Sequence, residues 1–351
     1  MASGTYTETV KLTASGTADA PIVFTAAPDA TVVRTGGGSF RRVFDIQRQA
    51  WITIEGFTFT DGDPAILAES SSDIEIVHNH VTTPDKGIYL SYTSDSRVAD
   101  NTIGPTGSSL LYGVYVPGGD RNQIVGNAIS HATYGVYLRY GADETVVDAN
   151  VIRDGYYGLT AQWSGDTLIT RNVIFGNGAW GIRILGADSD SVKPKVQEVG
   201  TRIAANTLAG KTAVAAAGTY VGFAEIDIDG ASKTVLANNI IDAAEARAAV
   251  YIAWNSISGT TLDHDLIDAP AGTPLVRWEF ENYSSIQSFN AATGQEAHGI
   301  QGDPRFAAPA EGDYTLTAAS PAVDSGSPAS CPRPRACRPA RHRRVRRRAR
   351  R

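Results

Sequence analysis

Cysteine is nearly absent from this chain of 351 residues: the two that occur, Cys331 and Cys337, both lie near its end. Everything before them is without a disulfide, a thiolate nucleophile or a cysteine-built zinc site. No run of about eighteen apolar residues occurs, which argues against a helical membrane span. The opening MASGTYTETV has no basic region followed by an apolar stretch, so no secretion signal is visible. Bases are scarce as well. Of 31 Lys and Arg, 11 arginines fall in residues 327–351, which hold no acid, so 20 bases face 37 acids in the rest, a net charge near -17. Affinity for nucleic acid comes largely from basic side chains displacing counterions, so the body is not expected to bind it.

What the chain does have is repetition. GIYLSY at Gly87, GVYVPG at Gly113, GVYLRY at Gly135, GLTAQW at Gly158 and GIRILG at Gly181 recur at spacings of 26, 22, 23 and 23 residues. Between them runs an apolar phrase that ends in asparagine before two more strand-like residues, giving Asn79, Asn101, Asn127, Asn150, Asn172, Asn206 and Asn239, with Asp265 in the last copy. Within a unit the apolar residues alternate with period two, and stretches of helical period are hard to find. A unit of about 23 residues with about three short strands is what one coil of a parallel β-solenoid needs. The fold class expected is therefore all-β, a parallel β-helix. Asparagine at one turn of every coil fits twice over: it tolerates left-handed backbone, and stacked amides can bond from coil to coil.

The expected organisation is an N-terminal cap with first coils over residues 1–46, β-helix coils over 47–268, C-terminal coils and cap over 269–326, and a tail over 327–351. Between Asn172 and Asn239 the asparagine spacing stretches to 34 and 33, which places insertions near 186–200 and 210–222. The segment GDPRFAAPAEGDYTLTAASPAVDSG reads as a closing coil over the last apolar layer. The tail has one aliphatic residue larger than alanine, Val345, and is expected to be disordered. Its Arg, Pro and Ala content is what a reading-frame change in a G+C-rich gene would give.

The coil phrase G-(V/I)-Y-(V/L), followed by apolar-x-x-N-x-I, resembles the right-handed parallel β-helix proteins of the pectate lyase-like group. The opening GTYTETVKLTASGTADAPIVFTAAPDATVV with WITIEGFTFTDG is similar to the first coils of alginate lyase and chondroitinase B-type polysaccharide lyases. That resemblance implies a polysaccharide as partner, β-elimination on a uronic acid polymer as the activity, and an extracellular or periplasmic location. YLRYGADETVVDANVIRDG resembles that family's strand carrying an assisting Arg, which implies the role for Arg139, with Tyr140 where His is usual. The family's base Lys is replaced by Pro117 and Gly118, and the acidic calcium-ligand cluster is missing. The alternatives are a non-catalytic glycan-binding or cell-surface β-helix, or a hydrolase or epimerase on the same fold.

Stacking coils in register lines up one outward position as Tyr89, Tyr115, Tyr137, Thr160, Arg183, Asp227 and Tyr251. The next outward position reads Ser91, Pro117, Arg139, Gln162, Leu185, Asp229 and Ala253, with Tyr92, Tyr140, Trp163 and Trp254 just beyond. Aromatic rings for stacking and polar groups for hydroxyls and carboxylates suit a sugar chain. For elimination, Arg139 or Arg183 would neutralise the uronate carboxylate, and Tyr137 or Tyr140 would serve as base and acid if a nearby Arg lowered the phenol pKa. Substrate contacts are expected from Gln162, Trp163, Tyr115, Tyr251, Trp254, Asp227 and Asp229. The last two project from one strand about 7 Å apart, a carboxylate spacing that hydrolysis uses. Tyrosine is also favoured in strands for packing alone. Of the histidines, His78 and His80 flank Asn79 but have no assignable third ligand. Asp188 and Asp190 in the GADSDS loop offer oxygens for Ca2+, without the spacing of a known calcium loop. Lys193 and Lys195 are the lysines best placed to reach over the groove. A monomer is expected.

Overall fold

The computed structural model describes residues 2, 4–27, 30–32, 42–83, 85–105, 107, 110–186, 198–209, 224–243 and 248–327. Residues 187–197 of the first expected insertion, all of the second and nearly all of the tail, with Asp188, Asp190, Lys193 and Lys195, lie outside them. Alternating apolar residues drive every coil to bury one side of each short strand, and three such strands per coil close around a single core. Among the described residues, strands stack into a front sheet of 12, a back sheet of 12 and a flank sheet of 10, all pairs parallel except the last of the front sheet, where Val276–Trp278 meets Glu281–Tyr283 antiparallel. In chain order each coil runs front, flank, back, as in Ala132–Arg139, Val146–Asp148 and Val151–Arg153. The architecture is the expected right-handed parallel β-helix.

The register explains the repeating letters. On the flank sheet Ile124, Val147, Ile169, Ile203, Leu236 and Leu262 are direct partners from coil to coil, and all are buried. On the front sheet Val114, Val136, Leu159, Ile182, Ile226 and Val250 do the same. Fully burying each such side chain contributes about 1.5–3 kcal/mol.

The asparagine column sits at the flank-to-back corner and is buried throughout. Asn101 is typical: its backbone N–H and its Nδ2 both donate to Oδ1 of Asn127 at 3.0 Å, and Nδ2 also reaches the carbonyl of Ile76 at 2.9 Å. The column passes unbroken from Asn172 to Asn206 and Asn239 across the long spacings. One detail differs from expectation. The left-handed residue is the one before each asparagine: His78, Asp100, Gly126, Ala149, Arg171, Ala205, Asn238 and His264 have φ between 53° and 67°. The asparagine is selected by its amide, and the backbone turn is supplied by its neighbour.

Both ends of the core are covered. Phe24, Phe57 and Phe59 pack around Phe44 at centroid distances of 5.4 to 6.0 Å near the N-terminal end. At the other end the cover is a helix, Ile286–Thr293, which strand periodicity did not suggest. Ser285 caps its start by accepting the Ser288 N–H at 3.1 Å, and Gly294 ends it at φ 73°. Phe289, fully buried, packs on Trp278 and Tyr283 at 5.7 and 5.2 Å. The segment expected as a closing coil instead forms a hairpin, Phe306–Ala308 with Asp313–Leu316, whose Tyr314 ring lies 4.7 Å from Phe175 on the outer side of the back sheet. Tyr314 and Phe306 find an apolar partner there because Val151, Val173 and Phe175 project outward from that sheet. Among the described residues, no helix is long and apolar enough to cross a membrane.

Candidate functional site

Glycine shapes the front sheet. A Cβ on Gly135 would stand 2.3 Å from Cγ2 of Ile152 and 2.5 Å from the carbonyl oxygen of Gly158. At Gly87, Gly113 and Gly158 the same atom would stand 2.5, 2.5 and 2.4 Å from the next coil's glycine oxygen. Only hydrogen fits there, so the strands draw together and bend at each glycine. The bend brings the residue before the glycine onto the same outer face as the residue two after it. Tyr112 thus stacks on Tyr115, and Tyr134 on Tyr137, each pair at 4.5 Å between centroids.

The result is a continuous aromatic pile. Along the coils, Tyr89, Tyr115 and Tyr137 follow one another at 5.0 and 5.2 Å, and Tyr134, Tyr157 and Trp180 at 4.6 and 4.9 Å. Its ring faces are spent on one another, so what it offers outward is ring edges and phenol hydroxyls. This corrects the expectation that sugars would stack on the ladder rings. Burial also pushes the phenols of Tyr115 and Tyr157 up to about 12, and that of Tyr137 higher still. Arg139 pulls the Tyr137 phenol the other way but does not offset burial. Tyr137 stays protonated at neutral pH, the opposite of what a base requires.

At the end of the front strands, Tyr92, Tyr140 and Trp163 take left-handed conformations at φ 46°, 57° and 56°. Gly118 stands in this column between Tyr92 and Tyr140, and a Cβ there would fall 2.7 Å from the Tyr92 ring. The Arg139 guanidinium lies 4.2 Å from the Tyr140 ring centroid and 5.2 Å from that of Trp163. Such stacking is worth about 0.5–1 kcal/mol at an exposed site.

A cleft of about 320 Å³ opens between these features. It is lined by Tyr134, Tyr137, Tyr157, Thr160, Gln162, Arg183, Leu185 and Asp229, from four successive front strands. Tyr137, nearly buried, donates its hydroxyl to Oε1 of Gln162 at 2.5 Å. Arg183 is held over Trp180, 4.1 Å from that ring, and its Nε is 4.0 Å from Oδ1 of the buried Asp227.

The predicted register is the observed one: Tyr137, Thr160, Arg183, Asp227 and Tyr251 are successive partners, as are Arg139, Gln162, Leu185 and Asp229. Of the candidate residues, Tyr137, Gln162, Arg183 and Asp229 meet in the cleft, and Asp227 lies behind Arg183. Arg139, Tyr140 and Trp163 form the neighbouring cluster, and Tyr115 is buried in the pile. Tyr251 sits two coils on beneath Arg277, and Trp254, exposed, lies past the end of its strand Ala248–Ile252. Neither lines the cleft. Tyr112, Tyr134, Tyr157 and Trp180 were missed in the sequence. Their signal was present, since each immediately precedes a coil glycine, but strict alternation assigns that position to the other face. Lys86 holds the same place one coil earlier, and its amine is tied to Asp85 at 2.7 Å and Asp63 at 2.9 Å. Those carboxylates keep it protonated despite partial burial, so it is not a free base.

Among known proteins, residues 45–206 match the family described as periplasmic copper-binding protein (NosD). The uncharacterized protein YwoF of Bacillus subtilis (strain 168) is 24% identical over 398 aligned residues, covering 91% of this chain and 83% of its own length. Pectate lyase Pel9A superposes with a TM-score of 0.51 at 15% identity, over 93% of this chain and 82% of its own. The fold this chain shares with it is the right-handed parallel β-helix. PfbA, a surface adhesin of Streptococcus pneumoniae, shares this fold with a TM-score of 0.53 at 12% identity, over 76% of each chain. A pectate lyase and an adhesin on one β-helix leave chemistry to the residues of the face.

For a metal, the described residues bring together one group of three ligands, Asp263, His264 and His298. It lies at the C-terminal end of the flank sheet, on a different side from the front-sheet cleft. Two of its three ligands are imidazoles, whereas calcium takes oxygens. His78 and His80 gather no such third ligand among the described residues. His78 is at the corner, 3.6 Å from Glu55 and 3.9 Å from Asp100, and His80 bonds Thr82 at 3.2 Å.

Proposed function

We propose that the front-sheet face binds an extended glycan, with the cleft at Tyr134, Tyr157, Gln162 and Arg183 holding one sugar unit of the chain. The observation that carries this reading is the cleft's mostly polar lining: three tyrosines, Thr160, Gln162, one Arg and one Asp, with Leu185, surround a volume in the range of small-ligand sites. Hydroxyl-rich ligands are recognised by such donors and acceptors. The exposed rings of Tyr92 and Tyr140, outside the pile, supply stacking surface beside it. Arg183 favours a sugar bearing a carboxylate, because a guanidinium pairs with that group in two-point geometry.

Binding without cleavage is the reading the geometry favours. Elimination needs a base, and the candidate phenols lining the cleft are held protonated by burial, while Lys86 is engaged by two aspartates. Cleavage is the second reading, favoured by Asp229 in the cleft, by Asp227 behind it, and by the same Arg183 as carboxylate neutraliser. The family description, periplasmic copper-binding protein, and the adhesin among the structural neighbours are both compatible with an exported binding protein.

The test is titration of the full chain against a panel of uronate and neutral polysaccharides by affinity electrophoresis and calorimetry, with product analysis for unsaturated and reducing ends. Binding that is retained by Trp254→Ala and lost in Arg183→Ala and Gln162→Ala, with no new ends, supports the first reading. New unsaturated ends that disappear in Arg183→Ala would establish elimination instead. Binding indifferent to both cleft substitutions would overturn the site.

A further inference from the structure

We infer that Asp263, His264 and His298 form a binding site for a divalent late transition cation, Cu2+ or Zn2+, that fastens the C-terminal cap to the last coil. Asp263 ends the flank strand Thr261–Asp263, and His264 follows it in the left-handed corner conformation at φ 64°. His298 arrives from far along the chain, after the capping helix. The aspartate is fixed from behind: its Oδ1 accepts the backbone N–H of His264 at 3.0 Å and that of His298 at 2.8 Å. Held in this way, it turns Oδ2 toward both imidazoles, 3.1 Å from Nδ1 of His264 and 3.0 Å from Nδ1 of His298.

Nδ1 of His298 is within hydrogen-bond distance of both carboxylate oxygens, at 3.3 and 3.0 Å, and the same separations suit ligands sharing one ion. With metal–nitrogen and metal–oxygen bonds of about 2.0–2.2 Å and angles between square and tetrahedral, neighbouring ligand atoms stand about 2.9–3.5 Å apart. All three ligand atoms lie within 4.8 Å of one another. An ordinary hydrogen bond does not account for His264, whose Nδ1 is shut off from water yet, at 3.1 Å, is too misaligned with the carboxylate to donate to it. The rings stack at 4.4 Å between centroids, and both bring Nδ1 to the same carboxylate oxygen. Two imidazoles and one carboxylate select zinc or copper over calcium or magnesium. His298 is 65% exposed, so the mouth is open and further coordination positions fall to water or to a ligand. The group lies beyond residues 45–206 and is not carried over from the family matched there.

The physical consequence is a tie between the last flank strand and the segment behind the capping helix, so an ion that binds only the folded chain raises its stability. The experiment strips the full chain with a chelator, then titrates Cu2+ and Zn2+ in separate arms by calorimetry and thermal unfolding, with electron paramagnetic resonance of the copper form. Wild type should take up one equivalent with a rise in unfolding temperature, and copper should show coupling to two imidazole nitrogens. His298→Ala, a substitution on an exposed ring that keeps the backbone bond to Asp263, should fold as wild type does and bind at least about tenfold more weakly. A response to one ion alone identifies that ion as the ligand. Equal binding by wild type and His298→Ala, or no uptake of either ion by wild type, overturns the site.

Discussion

Asn239 sets both of its amide donors on a single oxygen of Asp265, the backbone N–H at 2.6 Å and Nδ2 at 2.9 Å. Here a column of seven asparagines ends in a carboxylate, which accepts like an asparagine but has no amide to pass on. Its own backbone N–H is taken by Oε2 of the buried Glu296 at 3.2 Å. Burial and the neighbouring Asp265 push the Glu296 carboxyl far up, so one of these two acids carries a proton at neutral pH. Asp265→Asn keeps both acceptor bonds and removes the conflict between two buried acids. It should leave stability unchanged or raise it by about 1 kcal/mol in urea unfolding, whereas Asp265→Ala strands the Asn239 backbone N–H, leaves Nδ2 only its bond to the Ile203 carbonyl, and should cost about 1–3 kcal/mol. Equal stability of the two variants would show that the column's last bonds contribute nothing.

The bend that carries the tyrosine pile depends on glycine. Gly135→Ala forces a methyl against the Gly158 carbonyl and Ile152, and should destabilise by about 1–3 kcal/mol or more, the scale of overpacking. Gly107, on the surface with nothing within 4 Å of an added Cβ, is the control, and its alanine variant should be neutral. Near-ultraviolet circular dichroism of Gly135→Ala should also fall, because the Tyr134 and Tyr137 rings lose their shared environment.

Much of this was legible because the solenoid repeats its instructions. Gly87 to Gly181 and Asn79 to Asn239 each mark one coil, so the register of Tyr137, Thr160, Arg183 and Asp227 follows from counting. What counting does not reveal is a departure from alternation: Tyr134 and Tyr157 share a face with Tyr137 only because glycine bends the strand. Nor does it reveal competition between burial and charge. Arg139 beside Tyr137 suggests a lowered phenol pKa, and the structure places that phenol where desolvation dominates. The capping helix escaped because Ile286 and Phe289 are its only buried residues, too few to write a helical period. His298 joins Asp263 through a fold-back with no repeat to announce it.

The buried phenols give the protein an alkaline limit. Tyr115 and Tyr157 hold their protons to about 12 in the folded chain, against about 10 when unfolded. Above pH 10 the unfolded chain therefore binds fewer protons than the folded one, and stability falls as pH rises through this window. A spectroscopic phenolate titration should show a class of tyrosines that ionises late and together with loss of structure. Tyr157→Phe should make the alkaline loss less steep. A single early titration of all tyrosines would contradict the burial of the pile.

A second acid raised by burial, titrating at lower pH, lies on the back sheet. Asp242 and Asp268 are direct partners in register, and burial, with Asp268 and Asp303 nearby, pushes the Asp242 carboxyl up to about 6. A carboxyl whose folded pKa exceeds its unfolded value favours the native state when protonated, so this contribution is present below about pH 4 and is lost as pH rises through 6. Asp242→Asn removes the charge without changing shape. At pH 7 it should stabilise by about 1 kcal/mol, less than the full linkage value because the group stays partly exposed. Below about pH 4, where the wild-type carboxyl is protonated in both states, the gain should vanish. Urea unfolding of the two proteins at both pH values measures the difference, and a gain that is the same at each would mean that packing, not charge, separates them.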